Sequence, residues 1–205
     1  MPELKLTYFD FHGGRGEAPR LALSLGGVPF EDRRIPVSSW ADLREEMPFH
    51  AVPILEIDGE VISQSNTICR YVGKLTGLYP KDPLPAARCD EVMDAVEDIS
   101  TQVVSTFGTQ DDAEKRAVRE RLCEGPIRLY LERIQEMLVI RGGEYFAEDR
   151  LTVADLKVFV WVRTIRSGRL DYVPEDLADN YAPRLVAHND RIKAHPGIVS
   201  YYAGH

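Results

Sequence analysis

"VPILEIDGEVISQSNTICRYV", residues 52–72, is a strand, a tight turn, a second strand and a helix in twenty-one residues. "PILEID" (53–58) and "EVIS" (60–63) are rich in β-branched residues and meet at Asp58-Gly59, the dipeptide that two-residue hairpins favour. Ser65 then opens a helix in which Ile68, Val72 and Leu75 share one side, and Gly77 closes it. Val52-Pro53 precedes the first strand, a position proline tolerates. Trans is the expected isomer there; a cis bond would turn the Val52 N–H and C=O toward a ligand. Gln64 and Ser65 begin the helix, where a hydroxyl and free amides suit a carboxylate, although simple capping explains the serine equally well.

Working back from this segment, "KLTYF" (5–9) and the region of "FEDRRIPV" (30–37) read as two more strands. Between them Ala18, Leu21, Ala22 and Leu25 recur at i, i+3, i+4 and i+7, and Gly26-Gly27 stops the helix. A short helix is expected over 40–47. The order β-α-β-α-β-β-α makes the first two strands parallel and the last two a hairpin. Working forward, "GLYPKDPLPAA" (77–87) has three prolines and no periodicity, as a linker would. The remainder is helical. Val92, Val96, Ile99 and Val103 form one stripe; Leu122, Leu129 and Leu138 belong to another, with a bend expected at Gly125-Pro126. Thr152 and Asp155 approximate a capping box, and Pro183 starts a last helix with Leu185, Asn189 and Ile192 inward. The fold class is therefore a two-domain α+β protein: residues 1–79 an α/β domain, 80–86 a linker, and 87–205 an all-helical domain.

The chain has 205 residues, 44% of them hydrophobic, and a formal net charge of -8. That acidic balance argues against nucleic acid and anionic membrane as partners. Charged residues interrupt the N-terminal "MPELKLTYFD" where a signal peptide needs an apolar stretch, and no apolar run suits a membrane helix. A cytoplasmic protein is the expectation. Cys69, Cys89 and Cys123 are odd in number and widely spaced, as buried reduced thiols would be. The histidines (12, 50, 188, 195 and 205) show no metal-ligand spacing, and no H-E-x-x-H or G-x-S-x-G occurs, so neither a metal site nor an acyl-hydrolase elbow is expected.

The first strand runs into "FHGGRGE", with glycines at 13, 14 and 16. The spacing is neither G-x-G-x-x-G nor a P-loop, so a phosphate cradle is not indicated. Tyr8 sits where the strand ends, the usual ligand side of an open α/β sheet. Its hydroxyl suits an anion there, although the stretch alone equally describes an aromatic packed on the core. Arg15 adds positive potential or is simply solvated.

Taken in order, "KLTYFD", "RGEAPRLAL", Trp40 and Arg44 as W-x-x-x-R, "PF-x-x-VPILEIDG" and "QSNTICRY" resemble the cytosolic glutathione transferases, over nearly the whole chain. "TVADL" resembles that family's capping signature, and "YFD", "VSSW" and "MPF" most resemble its sigma class. The resemblance implies a thioredoxin-like first domain, a helical second domain and a cytosolic homodimer. It implies glutathione as co-substrate and no metal. Tyr8 would stabilise the glutathione thiolate, which an ordinary thiol of pKa near 8.5 does not supply at neutral pH, and Arg15 would strengthen that field. By the same resemblance, Ala51, Val52 and Pro53 meet the cysteinyl part through the Val52 main chain. Gln64 and Ser65 take the γ-glutamyl carboxylate, and Trp40 and Arg44 the glycyl end. Asp98 would reach the γ-glutamyl amine held by the partner subunit. The electrophile would be small and partly apolar, lying between Phe11, Gly14 and the helical domain near Ser105 and Tyr202. The glycine turn is one residue longer than usual, and Arg44 stands where lysine is common. An isomerase or peroxidase using the same thiolate, or a non-catalytic binding member, would read alike. Ser105 falls where prostaglandin-isomerising members carry an aromatic wall, so conjugation is expected over that isomerisation, unless a bent or extended helix lets nearby Phe107 fill the gap.

Overall fold

The computed structural model describes residues 2–204; His205 lies outside them. Four strands, β1 (Leu4–Phe9), β2 (Glu31–Ile35), β3 (Ile54–Ile57) and β4 (Glu60–Ser63), form one sheet in the order β2-β1-β3-β4. β1 and β2 are parallel, joined through helix α1 (Glu17–Leu25); β1–β3 and β3–β4 are antiparallel. Asp58 (φ 49°) and Gly59 (φ 88°) both adopt positive φ, the geometry that makes Asp-Gly the right pair for this hairpin. Helix α2 is shorter than expected, Trp40–Leu43, because Pro48 and the extended Met47 break the segment into single 3₁₀ turns. Helix α3 spans Ser65–Thr76 and ends on left-handed Gly77.

Among the described residues, seven helices follow: α4 (Pro83–Val104), α5 (Asp112–Leu122), α6 (Arg128–Ile140), α7 (Val153–Ile165), α8 (Leu177–Tyr181), α9 (Pro183–Lys193) and α10 (Pro196–Ala203). Three details depart from the expectations. α4 begins at Pro83, inside the expected linker 80–86, because a proline in the first turn gives up only an amide that has no helical partner. The Gly125-Pro126 pair is absorbed in a π-type turn, Cys123–Ile127, between α5 and α6. The buried stripe runs through Cys123, Ile127, Leu131, Ile134 and Leu138; Leu129 lies nine residues before Leu138 in the same regular helix, half a turn round, and is exposed. α9 is not the last helix; α10 folds back so that Tyr201 and Tyr202 pack edge-on against His12.

The α1, α3, α4 and α9 stripes are buried as their periodicity predicts, with Leu25 and Leu75 half-buried at the margin. α7 is apolar almost all round, "LTVADLKVFVWV", and is buried along nearly its whole length. It packs against α1, α4 and α9, so one hydrophobic core runs through both domains. The Thr152–Asp155 capping box forms, with the Asp155 carboxylate accepting from the Thr152 N–H at 2.8 Å and from its hydroxyl at 2.7 Å. Cys69, Cys89 and Cys123 are buried and free, and burial pushes the thiols of Cys69 and Cys89 up to about 11 and about 12. Among the described residues, no helix is long and apolar enough to cross a membrane.

Candidate active site

β1 delivers Tyr8 to the carboxyl end of the sheet, only 6% exposed, beside the turn that leads into α1. The turn is built around its ring. Gly14 has φ +63°, and a Cβ there would collide with the Tyr8 hydroxyl. A Cβ on Gly16 would enter the tyrosine ring. Two of the three glycines are therefore required by the close approach of Tyr8. The turn is anchored by Arg20, fully buried on α1. Its guanidinium donates to the carbonyls of Phe9 (3.2 Å) and Phe11 (3.1 Å) and to Asp32 (2.9 Å), and pairs with buried Glu17. An arginine next to the apolar face Ala18-Leu21-Ala22 is the sequence signal that marks this anchor.

The Tyr8 hydroxyl accepts a hydrogen bond from the Arg15 backbone N–H at 3.0 Å. One lone pair is thus engaged and the phenol proton is left to donate. Burial pushes the Tyr8 pKa up, opposed by the Arg15 amide and by the charges of Arg15 and Arg20. Tyr8 is accordingly a neutral donor at physiological pH. Arg15 acts here through its main chain; its guanidinium turns toward α4, donating to Glu97 (2.5 Å) and to Thr101 (2.9 Å).

Tyr8, Phe11, Gly14 and Arg15 line one cavity of about 890 Å³ between the two domains. Its far wall comes from α4 and α7 and includes Val103, Phe107 and Trp161. Ser105, expected in that wall, is exposed and donates its hydroxyl to the Gln102 carbonyl at 2.8 Å, outside the cavity lining. Helix α4 ends at Val104 and tightens into a 3₁₀ turn, Ser105–Gly108, and the change of pitch brings Phe107 to the cavity in place of Ser105. Tyr202 also stands outside the lining: it is one layer back, under the guanidinium of Arg163, which does line the cavity.

Of the remaining predicted residues, Val52 and Trp40 gather beside Tyr8. Tyr8, Ile35, Met47, Val52 and Ile54 form a small apolar cluster on which Phe9 and Trp40 pack. The Val52-Pro53 bond is cis, where trans was the expectation; the isomer is set by tertiary packing of both buried residues, which no local rule describes. Ala51 and Arg44 are exposed beside this cluster. Gln64 has φ +71° and is exposed; Ser65 is buried at the start of α3. Asp98 is exposed on α4, where it accepts from the Tyr130 hydroxyl at 3.5 Å.

Sequence reasoning missed two residues. Glu97, next to Asp98, faces the site and accepts from Ser65 Oγ at 2.8 Å. Burial opposes its ionisation, but the Lys157 ammonium, the Arg15 guanidinium and the Ser65 hydroxyl outweigh that and hold its pKa down to about 2. Lys157 reaches from α7 to Ser65, Asn66 and Glu97. A single lysine within an apolar run is the signal that could have found it.

Residues 4–74 match the family model described as "Glutathione S-transferase, N-terminal domain", and residues 97–205 match "Glutathione S-transferase, C-terminal domain". The chain is 35% identical to glutathione S-transferase 1 of Ascaris suum over 161 residues, 77% of this chain and 78% of the relative. It is 33% identical to hematopoietic prostaglandin D synthase of Gallus gallus, over 98% of this chain and 96% of the relative. The solved structure of prostaglandin synthase D of Nilaparvata lugens superposes with a TM-score of 0.85 at 31% identity, covering 98% of each chain.

Proposed function

The chain belongs to the glutathione S-transferase family and resembles its sigma class; from that premise we propose that it joins glutathione to small, partly apolar electrophiles and that the Tyr8 hydroxyl stabilises the thiolate. The observation that carries the proposal is the Arg15 N–H bond to Tyr8 Oη, which leaves the phenol proton as donor. A charge-assisted hydrogen bond to sulfur favours the thiolate over the thiol and lowers the thiol's pKa. The thiol proton leaves to solvent, the sulfur lone pair forms the new bond to the electrophilic carbon, and the leaving group departs with its electron pair. Gly14 keeps the space above the hydroxyl open for sulfur.

Around that centre, Val52 offers main-chain groups to the cysteinyl unit, flanked by Ala51 and Pro53. Trp40 and Arg44 receive the glycyl carboxylate, and Gln64 and Ser65 the γ-glutamyl end. The electrophile lies across Phe11, Gly14 and Phe107. The protein works as a homodimer in the cytosol, in the manner the resemblance implies. The two-fold pairing is supported by Phe49, 79% exposed at φ 54°, an apolar side chain held out from the surface.

A second reading, a glutathione-dependent isomerase, is favoured by Phe107. It supplies the aromatic surface that Ser105 lacks, and one relative above is named a prostaglandin D synthase and one similar structure a prostaglandin synthase D. The test offers purified enzyme immobilised glutathione, an aryl halide and prostaglandin H. Retention with aryl halide turnover is expected. Retention without turnover of either substrate would make it a binding protein, and isomerisation clearly outpacing conjugation would favour the second reading.

A further inference from the structure

Besides the apolar side chains of Phe11, Phe107 and Trp161, the cavity between the domains is lined by Arg163 and Arg169. The chain carries 33 acidic residues against 25 lysines and arginines, so a cation inside a cavity should find a carboxylate. Three others in this lining do. Arg15 and Lys157 meet Glu97, and Arg166 meets Asp179 at 3.0 Å and Asp190 at 3.1 Å. Arg163, half-buried on α7, has neither an ion pair nor a hydrogen bond among the described residues. Its guanidinium carbon lies 4.2 Å from the centroid of the Tyr202 ring. A guanidinium stacked on a ring has one face covered and keeps its N–H donors in its own plane, where they suit a carboxylate. The two remaining acids of the lining are occupied elsewhere: Asp176 accepts from Asn180 at 3.0 Å, and the Glu175 carboxylate lies over Gly168.

Arg163 also stands beside the reacting centre. Tyr202 beneath it packs on His12, ring centroids 5.3 Å apart, in the glycine turn that seats Tyr8. The next residue, Thr164, faces Gly13 of that turn. Arg169 reaches the turn as well, donating to the His12 carbonyl at 3.5 Å. Positive potential without a counter-charge thus meets an apolar lining, and a half-buried charge is costly until a ligand pairs it.

We propose that Arg163 is a specificity residue for electrophiles that carry a carboxylate: their apolar body lies on Phe11, Phe107 and Trp161, and their anionic group meets the Arg163 guanidinium, with Arg169 adding potential. The inference rests on the glutathione reading above and narrows it to acidic electrophiles. The carboxylate takes no part in the bond exchange; sulfur still bonds to carbon and the leaving group departs with its electron pair.

Two matched pairs of ligands test the assignment. Quenching of tryptophan fluorescence, with Trp161 in the cavity wall, measures binding of para-nitrobenzoate and para-nitrobenzamide without turnover. Conjugation of chlorodinitrobenzoate and of its amide, each divided by its uncatalysed rate with glutathione, measures turnover. Wild type should prefer the acid in both. Arg163→Gln should lower the acid-to-amide ratio about tenfold, the loss of one charge-assisted contact, through KM for the acid, and Arg163→Lys should keep part of the preference. Should R163Q fail to fold, wild type alone decides: raising sodium chloride from ~0.05 to ~0.5 M should increase KM for the acid and leave that of the amide. Equal affinity for acid and amide in wild type, or equal losses on both in R163Q, as a merely packed arginine would give, overturns the proposal. Selective, Arg163-dependent binding of nitrobenzoate without turnover of either chloride would support the anion site and refute the transferase reading.

Discussion

Tyr8→Phe removes one oxygen from an otherwise unchanged wall. The ring stays seated between Phe9 and Phe11, whose centroids lie 5.3 and 5.7 Å away, so the apolar packing survives. What disappears is the donor to sulfur and the acceptor for the Arg15 N–H, 3.0 Å from the hydroxyl. A hydrogen bond to a charged group contributes ~1.5–3 kcal/mol. At about 1.36 kcal/mol per unit, the thiol pKa of bound glutathione should rise by about one to two pH units. kcat/KM at neutral pH should fall roughly ten- to hundredfold. Glutathione affinity should change little, because the carboxylate contacts lie elsewhere. The assay is a titration of bound thiolate by its ultraviolet absorbance, run beside a pH–rate profile with an aryl halide. An identical midpoint in wild type and Y8F would show that the hydroxyl does not stabilise the thiolate.

Gly14→Ala should damage the same step from the other side: at φ +63° a side chain costs ~1–2 kcal/mol, and its Cβ meets the Tyr8 hydroxyl. A fall in kcat/KM as large as that of Y8F, with the same upward shift of the thiol pKa, is expected; wild-type kinetics would refute the close approach. Glu97 has its folded-state pKa depressed from 4.5 to about 2. Its stabilisation is therefore complete above pH 4.5 and is lost as pH falls toward 2. Relative to Glu97→Gln, urea unfolding of wild type should lose about 3 kcal/mol across that window, and parallel stability curves would contradict the ion pairs. Light scattering at micromolar concentration should give twice the mass of the chain, and Phe49→Ala should weaken the pairing; the mass of one chain in wild type would refute the dimer.

Local chemistry was enough for much of this protein. Asp58-Gly59 needs two positive φ angles and so marks a hairpin from sequence alone. Thr152 and Asp155 lie three residues apart and satisfy each other's caps. The stripes on α1, α3, α4 and α9 follow from a 3.6-residue period. The order of these elements, with the motifs they carry, is sufficient to place Tyr8 at a strand end. The tertiary structure decided what depends on distant partners. Lys157 and Ser65 are 92 residues apart and Arg15 and Glu97 82; no periodicity links them, and whether Glu97 or Asp98 meets Lys157 turns on which side of α4 faces α7. Phe107 replaces Ser105 at the cavity because a helix tightens into a 3₁₀ turn after Val104. The Val52-Pro53 isomer is likewise a tertiary outcome, since the local cis–trans preference is small enough for packing to override it. Local rules act over about four residues, whereas a site between two packed domains is fixed by the contacts across them.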